Sequence, residues 1–445
     1  MLINKRNHNL KKSIAIIGSG IAGLSTAYFS QEYFDVTLFE KNDYLGGHAN
    51  TREVKDSNGN TIPIDTGFIV YNELTYPNLT KFFDLLKVET VNSNMSFSFL
   101  NEENKFEYGG GSLSALFADR KNFFNLKFYK MLKDIIIFYK VYQKKNITSD
   151  ISIRDFLKTK NYSDEFINFH LVPLISSIWS TPDQDSLNQP LKSIINFFQN
   201  HKLFNFTDRP QWKTIRNGSK QYINLLIKSA KFKIKKSCRI QKISRNDKIE
   251  IFFEGKKSVF DIIIFACPPN HFFPLLDKIH QKEHEVLNEF DFQKNLAQLH
   301  QNNSLMPTHL KAWSSWNFHT NLNNKCTLSY WMNKLQPLET NDNFFVSLNQ
   351  DQNQNHYQTI YEHPIFSPKT LNAQKNISQI QGSENSSYGG SYLGFMERKN
   401  HQKQTSRTIN VWPITTLGEG AEAMKYRFNW NFPIAFSKHD SSKLY

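Results

Sequence analysis

Apolar and polar positions alternate along this chain in three distinct ways, and each predicts a different element. Unbroken apolar runs come first. Ser13-Ile14-Ala15-Ile16-Ile17, Val36-Thr37-Leu38-Phe39 and Phe260 to Cys267 read as buried strands, the last stopped by Pro268-Pro269. Helical spacing comes second. Leu24 to Tyr33 reads as a helix between the first two strands. Lys121 to Tyr142 reads as a longer one, with Phe124, Phe128, Met131, Leu132, Ile135 and Phe138 recurring on one face and Lys127, Lys130 and Lys133 between them. Strict alternation comes third: Arg239 to Arg245 and Lys248 to Phe253 read as a hairpin. Trp212 to Ser219 reads as a turn leading into a helix, and the polar run Asn349 to Asn355 as a surface loop.

The first strand, helix and second strand make one βαβ unit, and its turn carries chemistry. Gly18-Ser19-Gly20-Ile21-Ala22-Gly23 is a G-x-G-x-x-G turn, and the second strand closes on Glu40. Gly18 permits the tight turn, Gly20 leaves backbone room for a pyrophosphate at the helix N-terminus, and Gly23 lets helix and strand pack closely. Glu40 is placed to accept hydrogen bonds from a ribose. This predicts a dinucleotide site. Lys41 and the Gly46-Gly47-His48 run follow soon after, and then Asp65-Thr66-Gly67. An NAD site has no particular need of glycines at 46 and 47, which favours a flavin dinucleotide over a nicotinamide one.

Bulk properties narrow the class. At 445 residues, two or three domains fit. The net charge of +14 raises nucleic acid or an anionic membrane as partners. The lysines are scattered and no nucleic-acid motif occurs, so no nucleic-acid partner is expected. Cys238, Cys267 and Cys326 have neither metal nor redox spacing, so no metal site is expected. With no signal-peptide pattern and no long apolar run, a cytoplasmic protein is expected. The Lys121–Tyr142 helix reads first as a core helix with a solvated face. Weak peripheral membrane contact is the alternative.

Taken together, E-x(5)-GGH and the later D-T-G resemble the flavin-containing amine oxidoreductase superfamily, which spans monoamine oxidases, phytoene-type desaturases and protoporphyrinogen oxidase. A bacterial amine-oxidase-like, desaturase-like subfamily is more similar still. The likeness rests on Asp65 to Asn72, Thr75 to Leu79, Asn94 to Ser98, Ile178 to Pro182, Tyr330 to Asn333 and Tyr361 to Pro364, and it covers roughly residues 12 to 395. It implies an α/β fold: a Rossmann-like FAD-binding domain of the amine-oxidase type with an α+β substrate domain. The FAD-binding parts are expected at 1–105, 211–290 and 371–395, the last truncated. The substrate domain is expected at 106–210, mostly helical, and 291–370, rich in strands.

The resemblance implies FAD as cofactor, held by Gly18, Ser19, Gly20, Ile21, Ala22, Gly23, Glu40, Lys41, Gly46, Gly47, His48, Asp65, Thr66 and Gly67. The backbone at Ile240 is expected to hold adenine. It implies hydride removal from a C–N or C–C bond of a small amine or apolar lipid substrate. No catalytic residue is named, since flavin chemistry of this kind requires no obligatory acid–base pair. Trp179, Trp313, Trp316, Tyr330, Trp331 and His363 are candidates to line the substrate pocket. Two departures stand out. Tyr44 occupies a place where the superfamily often has arginine. The last cofactor motif starts at Tyr388-Gly389-Gly390 but does not continue past Phe395. Residues 396–445 instead resemble a sortilin-type β-propeller fragment, which predicts an atypical tail and a foreign join. A cofactor-fold protein with a binding or assembly role and no turnover is therefore the alternative function.

Overall fold

The computed structural model describes residues 11–147, 151–179, 186–321, 326–350, 355–365 and 367–394. Strand β1 (Ser13–Ile17), helix α1 (Ile21–Ser30) and strand β2 (Asp35–Phe39) form the predicted βαβ unit. They belong to a five-stranded sheet in the order Lys233–Lys235, β2, β1, Ile262–Phe265, Ser386–Tyr388, with every neighbouring pair parallel.

Alternation explains why these strands are apolar throughout. Ile14, Ile16, Val36, Leu38, Ile262 and Ile264 face one core, shared with the helices Pro77–Leu86 and Lys220–Lys228. Ala15, Ile17, Phe39, Ile263 and Phe265 face a second core. That core is shared with an antiparallel sheet of Ile240–Arg245, Ile249–Phe253 and Lys256–Phe260 and with the helix Gln281–Leu287. A parallel sheet covered on both sides must bury both faces of each strand.

A second sheet has seven strands, in the order Tyr357–Pro364, Phe292–His300, Phe345–Leu348, Cys326–Trp331, Trp316–Thr320, Phe97–Asn101, Phe106–Gly109. All its pairs are antiparallel except Trp316–Thr320 with Phe97–Asn101. The expected 105/106 boundary therefore falls inside a paired hairpin, Phe97–Asn101 with Phe106–Gly109, because that hairpin extends this sheet. Phe99, Phe106, Tyr108 and Phe318 of the sheet share a core with the helices Leu126–Tyr142, Ile153–Lys158, Val172–Trp179 and Leu191–Asn200. Among the described residues no helix is long and apolar enough to cross a membrane. Residues 396–445, including the propeller-like strings, lie outside the described residues.

Candidate functional site

The site begins where the parallel strands end. Gly18 has φ +102, and a Cβ there would lie 2.8 Å from the Ala266 carbonyl oxygen. A Cβ on Gly23 would meet the Gly18 oxygen at 1.9 Å, so α1 can approach the turn only with glycine at this position. Gly20 differs. Its φ of −63° and ψ of 176° are open to any residue, and a Cβ there would meet nothing within 4 Å. Gly20 is also the N-cap of α1, with no side chain capping the helix. Its first backbone N–H groups are therefore left to a ligand or solvent. Ile21 and Ala22 open the helix, with Ala22 buried and Ile21 packed on the first core.

Around this turn the other predicted residues assemble. Glu40, 6% exposed, accepts hydrogen bonds from Ser19 N at 2.9 Å, Ser19 Oγ at 2.7 Å and Asn42 N at 2.8 Å. Gly46 N donates to the Ser19 carbonyl at 2.9 Å, and a Cβ on Gly47 would lie 3.2 Å from Gly20 Cα. The two glycine loops thus touch, and an open, uncapped helix start lies beside them. These residues fit a dinucleotide: backbone room for a pyrophosphate, free N–H groups and a carboxylate at the end of β2. Lys41 is exposed, with Nζ 3.3 Å from His271 Nδ1, and His271 Nε2 contacts Glu362 at 2.7 Å. Cys238 N donates to the Glu40 carbonyl, so the segment leading into Ile240 runs beside the end of β2. Ile240 itself is buried in the second core.

Thr66, Gly67 and His48 form a separate wall. A Cβ on Gly67 would meet the His48 oxygen at 2.3 Å and the Tyr361 ring at 3.0 Å. Thr66 Oγ1 lies 2.7 Å from Tyr361 Oη. The His48 ring stacks on Tyr361, centroids 4.8 Å apart, and lies 5.2 Å from His363. His48 keeps accessible surface, yet the surrounding protein lowers its pKa to about 4. Burial lowers His363 further, to about 3, helped by His48. Its Nδ1 lies 2.8 Å from Asn295 Nδ2. Accepting from that amide leaves the His363 proton on Nε2. Both imidazoles are neutral near pH 7, so each can donate at one nitrogen and accept at the other.

Asp65 departs from its expected role. It is 1% exposed and takes hydrogen bonds from Thr51 Oγ1, Ser219 N, Ser219 Oγ and Gln336 Nε2 at 2.5–2.9 Å. With almost no accessible surface, this carboxylate cannot reach a ligand. It clamps the hairpin Thr51–Lys55/Thr61–Asp65 to the start of the helix Lys220–Lys228.

The aromatic candidates separate as well. Trp313 and Trp331 pack edge-to-face at 5.4 Å, and both indole N–H groups are satisfied, by Pro307 O and Asn343 Oδ1. Trp316 pairs across strands with Tyr330, and its Nε1 is buried without a hydrogen-bond partner among the described residues. Of the two environments, Trp316's is the one that lacks a polar partner. Trp179 ends its helix, and its side chain lies outside the described part. Arg52, absent from the sequence reading, stands 5.2 Å over the Tyr44 ring and 4.0 Å over that of Tyr357. A guanidinium thus stands beside Tyr44, the position that the sequence motifs mark as lacking one. It arrives from the hairpin strand Thr51–Lys55, and no motif signals it.

Residues 16–86 match the family described as NAD(P)-binding Rossmann-like domain. Coproporphyrinogen III oxidase of Staphylococcus aureus is 25% identical over 283 residues, 55% of this chain and 60% of that protein. The chain thus spans less than two thirds of this curated relative. Among solved structures, cyclohexylamine oxidase from Brevibacterium oxydans superposes with a TM-score of 0.61 at 12% identity, over 86% of this chain and 94% of that one. A fatty acid isomerase from P. acnes does so with 0.60 at 14% identity, over 87% and 95%. At such identities the likeness is one of fold: a Rossmann-like domain within the mixed α/β architecture of amine-oxidase-type structures. None of these matches supports the β-propeller likeness.

Proposed function

We propose that this chain is an FAD-dependent oxidoreductase, in which a hydride leaves a C–N or C–C bond of an amine or apolar lipid substrate. One observation carries the reading. Gly46-Gly47 closes against Ser19 and Gly20, so a second glycine loop extends the dinucleotide cradle beyond what a nicotinamide site uses. A flavin bound there supplies a hydride-accepting ring. The chain's own part is position and electrostatics. The uncapped start of α1 and the backbone at Gly20 bind the phosphates, and Glu40 orients a ribose through its remaining acceptor capacity. His48, Tyr361 and His363 cluster beside Gly67, with His363 holding a proton at Nε2. The cofactor domain is drawn from 1–105, 211–290 and 371–395, and the substrate domain from 106–210 and 291–370, with the 97–109 hairpin counted to the latter's sheet.

The names of the matched proteins cover a porphyrinogen, an amine and a fatty acid, so the fold itself does not select the substrate. A second reading, binding or assembly without turnover, draws on Glu40, which already holds three donors from its own neighbourhood. Purified protein decides between them. Flavin absorbance, release of FAD on denaturation and anaerobic bleaching by an amine or a fatty acid are expected. Colourless protein that cannot be reconstituted with FAD overturns the flavoenzyme reading. Yellow protein that no such substrate bleaches favours the second.

A further inference from the structure

The helix Leu126–Tyr142 has two apolar sides, and only one of them is used. Phe128, Met131, Ile135, Phe138 and Tyr142 point into the core of the helical half. On the outside, Leu126, Tyr129, Ile136, Ile137 and Val141 are exposed. The turn before the helix continues that face. Phe124 is 92% exposed and Leu126 84%, while nearby segments add Leu113 at 78% and Leu310 at 69%.

These tips are held rather than loose. Asp119 caps the 3₁₀ turn Arg120–Phe124, and Asn125 caps the long helix by accepting from Lys127 N and Phe128 N. Phe123 stacks on Phe117 at 4.3 Å, and Tyr129 Oη donates to the Phe123 carbonyl. Leu113, Phe117 and Phe123 line a hollow together with Arg120 and Lys311, which joins the Leu310 loop to this face.

Cations surround the apolar tips. Arg120, Lys121, Lys127, Lys130, Lys133, Lys140 and Lys311 are all exposed. Among the described residues none of them forms a salt bridge. Acids hardly offset them. From 113 to 145 the acids are Asp119, engaged in its cap, and Asp134, buried and bonded to Ser163 N and Oγ.

We propose that this face docks onto an anionic lipid bilayer, with Phe124, Leu126, Leu113 and Leu310 entering the acyl boundary and the lysines meeting the headgroups. The chemistry selects that occupant. Outward apolar tips interleaved with lysine are the pattern of an interfacial helix. A protein interface core is depleted of lysine, and a second copy would bring the same positive charge to the contact. The proposal is independent of the cofactor reading and survives its failure.

Co-sedimentation of the full chain with vesicles tests it. Binding is expected to mixed phosphatidylcholine–phosphatidylglycerol vesicles, weaker at high salt, and not to pure phosphatidylcholine. The double variant Phe124→Glu/Leu126→Glu should lose about tenfold or more in vesicle affinity, as two apolar contacts and like charge are exchanged together. Both side chains are solvent-exposed, so circular dichroism and melting should stay unchanged. Lys127→Glu/Lys130→Glu should weaken binding comparably. Three results overturn the proposal: no sedimentation with anionic vesicles; loss of binding in the lysine variant but not in the Phe124/Leu126 variant, which marks a general polyanion site; or a dimer in light scattering that the Phe124/Leu126 variant abolishes.

Discussion

The parallel-sheet half and the helical half of this molecule are built by opposite means. In the first, the dinucleotide cradle is made mostly of backbone. Its turn, helix start and second glycine loop come from a single stretch, 18–47, and the glycines act by what they leave out. In the second, what matters is side chains brought together from afar. His170 lies between Tyr108 and Tyr139, 62 and 31 residues away in sequence, and the outward lysines and phenylalanines of 120–141 join Leu310 and Lys311. Backbone sites depend on local geometry and fail abruptly when it is filled. Side-chain sites depend on packing and fail by degrees.

The sharpest way to break that contrast lies within the glycine turn. Gly23→Val puts atoms where Gly18 oxygen already sits, and the protein should fail to fold or lose more than about 4 kcal/mol, read by urea unfolding. Gly20→Val adds a Cβ that meets nothing within 4 Å, on a backbone φ that suits it. Its melting temperature should hold while FAD affinity drops at least about a hundredfold, about 2.7 kcal/mol, by fluorescence titration. Equal stability loss in both variants would mean that Gly20 is structural too.

The parallel half also has one side-chain seam. Arg245 pairs with Glu283 through two bonds of 2.7 Å, and Tyr388 Oη donates to the same carboxylate. Both charged residues are nearly inaccessible; the pair ties the strand Ile240–Arg245 to the helix Gln281–Leu287, and Tyr388 and Ser386 join the strand Ser386–Tyr388 to it. Glu283→Ala should cost about 3–5 kcal/mol in chemical denaturation by stranding the guanidinium. A loss below about 1 kcal/mol would show that this seam does not depend on the pair.

The smallest effect belongs to the helical half and is set by pH. Burial lowers His170 to about 3. Tyr108 Oη bonds the Phe169 carbonyl and can accept from Nδ1, while Tyr139 Oη faces Nε2, so the neutral ring is satisfied. A histidine whose folded pKa is depressed stabilises the protein fully above its unfolded pKa of about 6.5, and that stability is lost as pH falls toward 3. Between about pH 7 and about pH 5 the loss is about 2 kcal/mol from this ring. His201 and His300, also lowered by burial, act in the same direction. Thermal melting should show this slope, and His170→Gln should flatten it. An unchanged slope in that variant would place the acid sensitivity elsewhere.

Much of the cradle was legible from the chain alone. The β1–α1–β2 unit, its glycines and Glu40 lie within 28 residues, and the pattern of a doubly covered strand needs no partner to be recognised. The wall beyond was legible only in part. His48, Gly67 and His363 were each expected at a site, but only the fold decides that Tyr361 and His363, on a strand some 300 residues later, meet His48 and Gly67. Asp65 reads as a ligand contact in isolation, and only the arrival of Thr51, Ser219 and Gln336 consumes its acceptors.

Periodicity alone marked the long helix as having an apolar face with lysines between. It could not say that a second apolar face would be left uncovered. By itself the sequence determined what is local: strand and helix periods, glycine geometry, and the order of the turn residues, all set by backbone sterics over a few residues. Tertiary structure decided what depends on neighbours: which carboxylate is spent, which histidines stay neutral, where Arg52 comes to stand over Tyr44, and which apolar side chains found no core. Burial and partner choice are properties of the packed chain, and packing joins residues that sequence spacing holds apart.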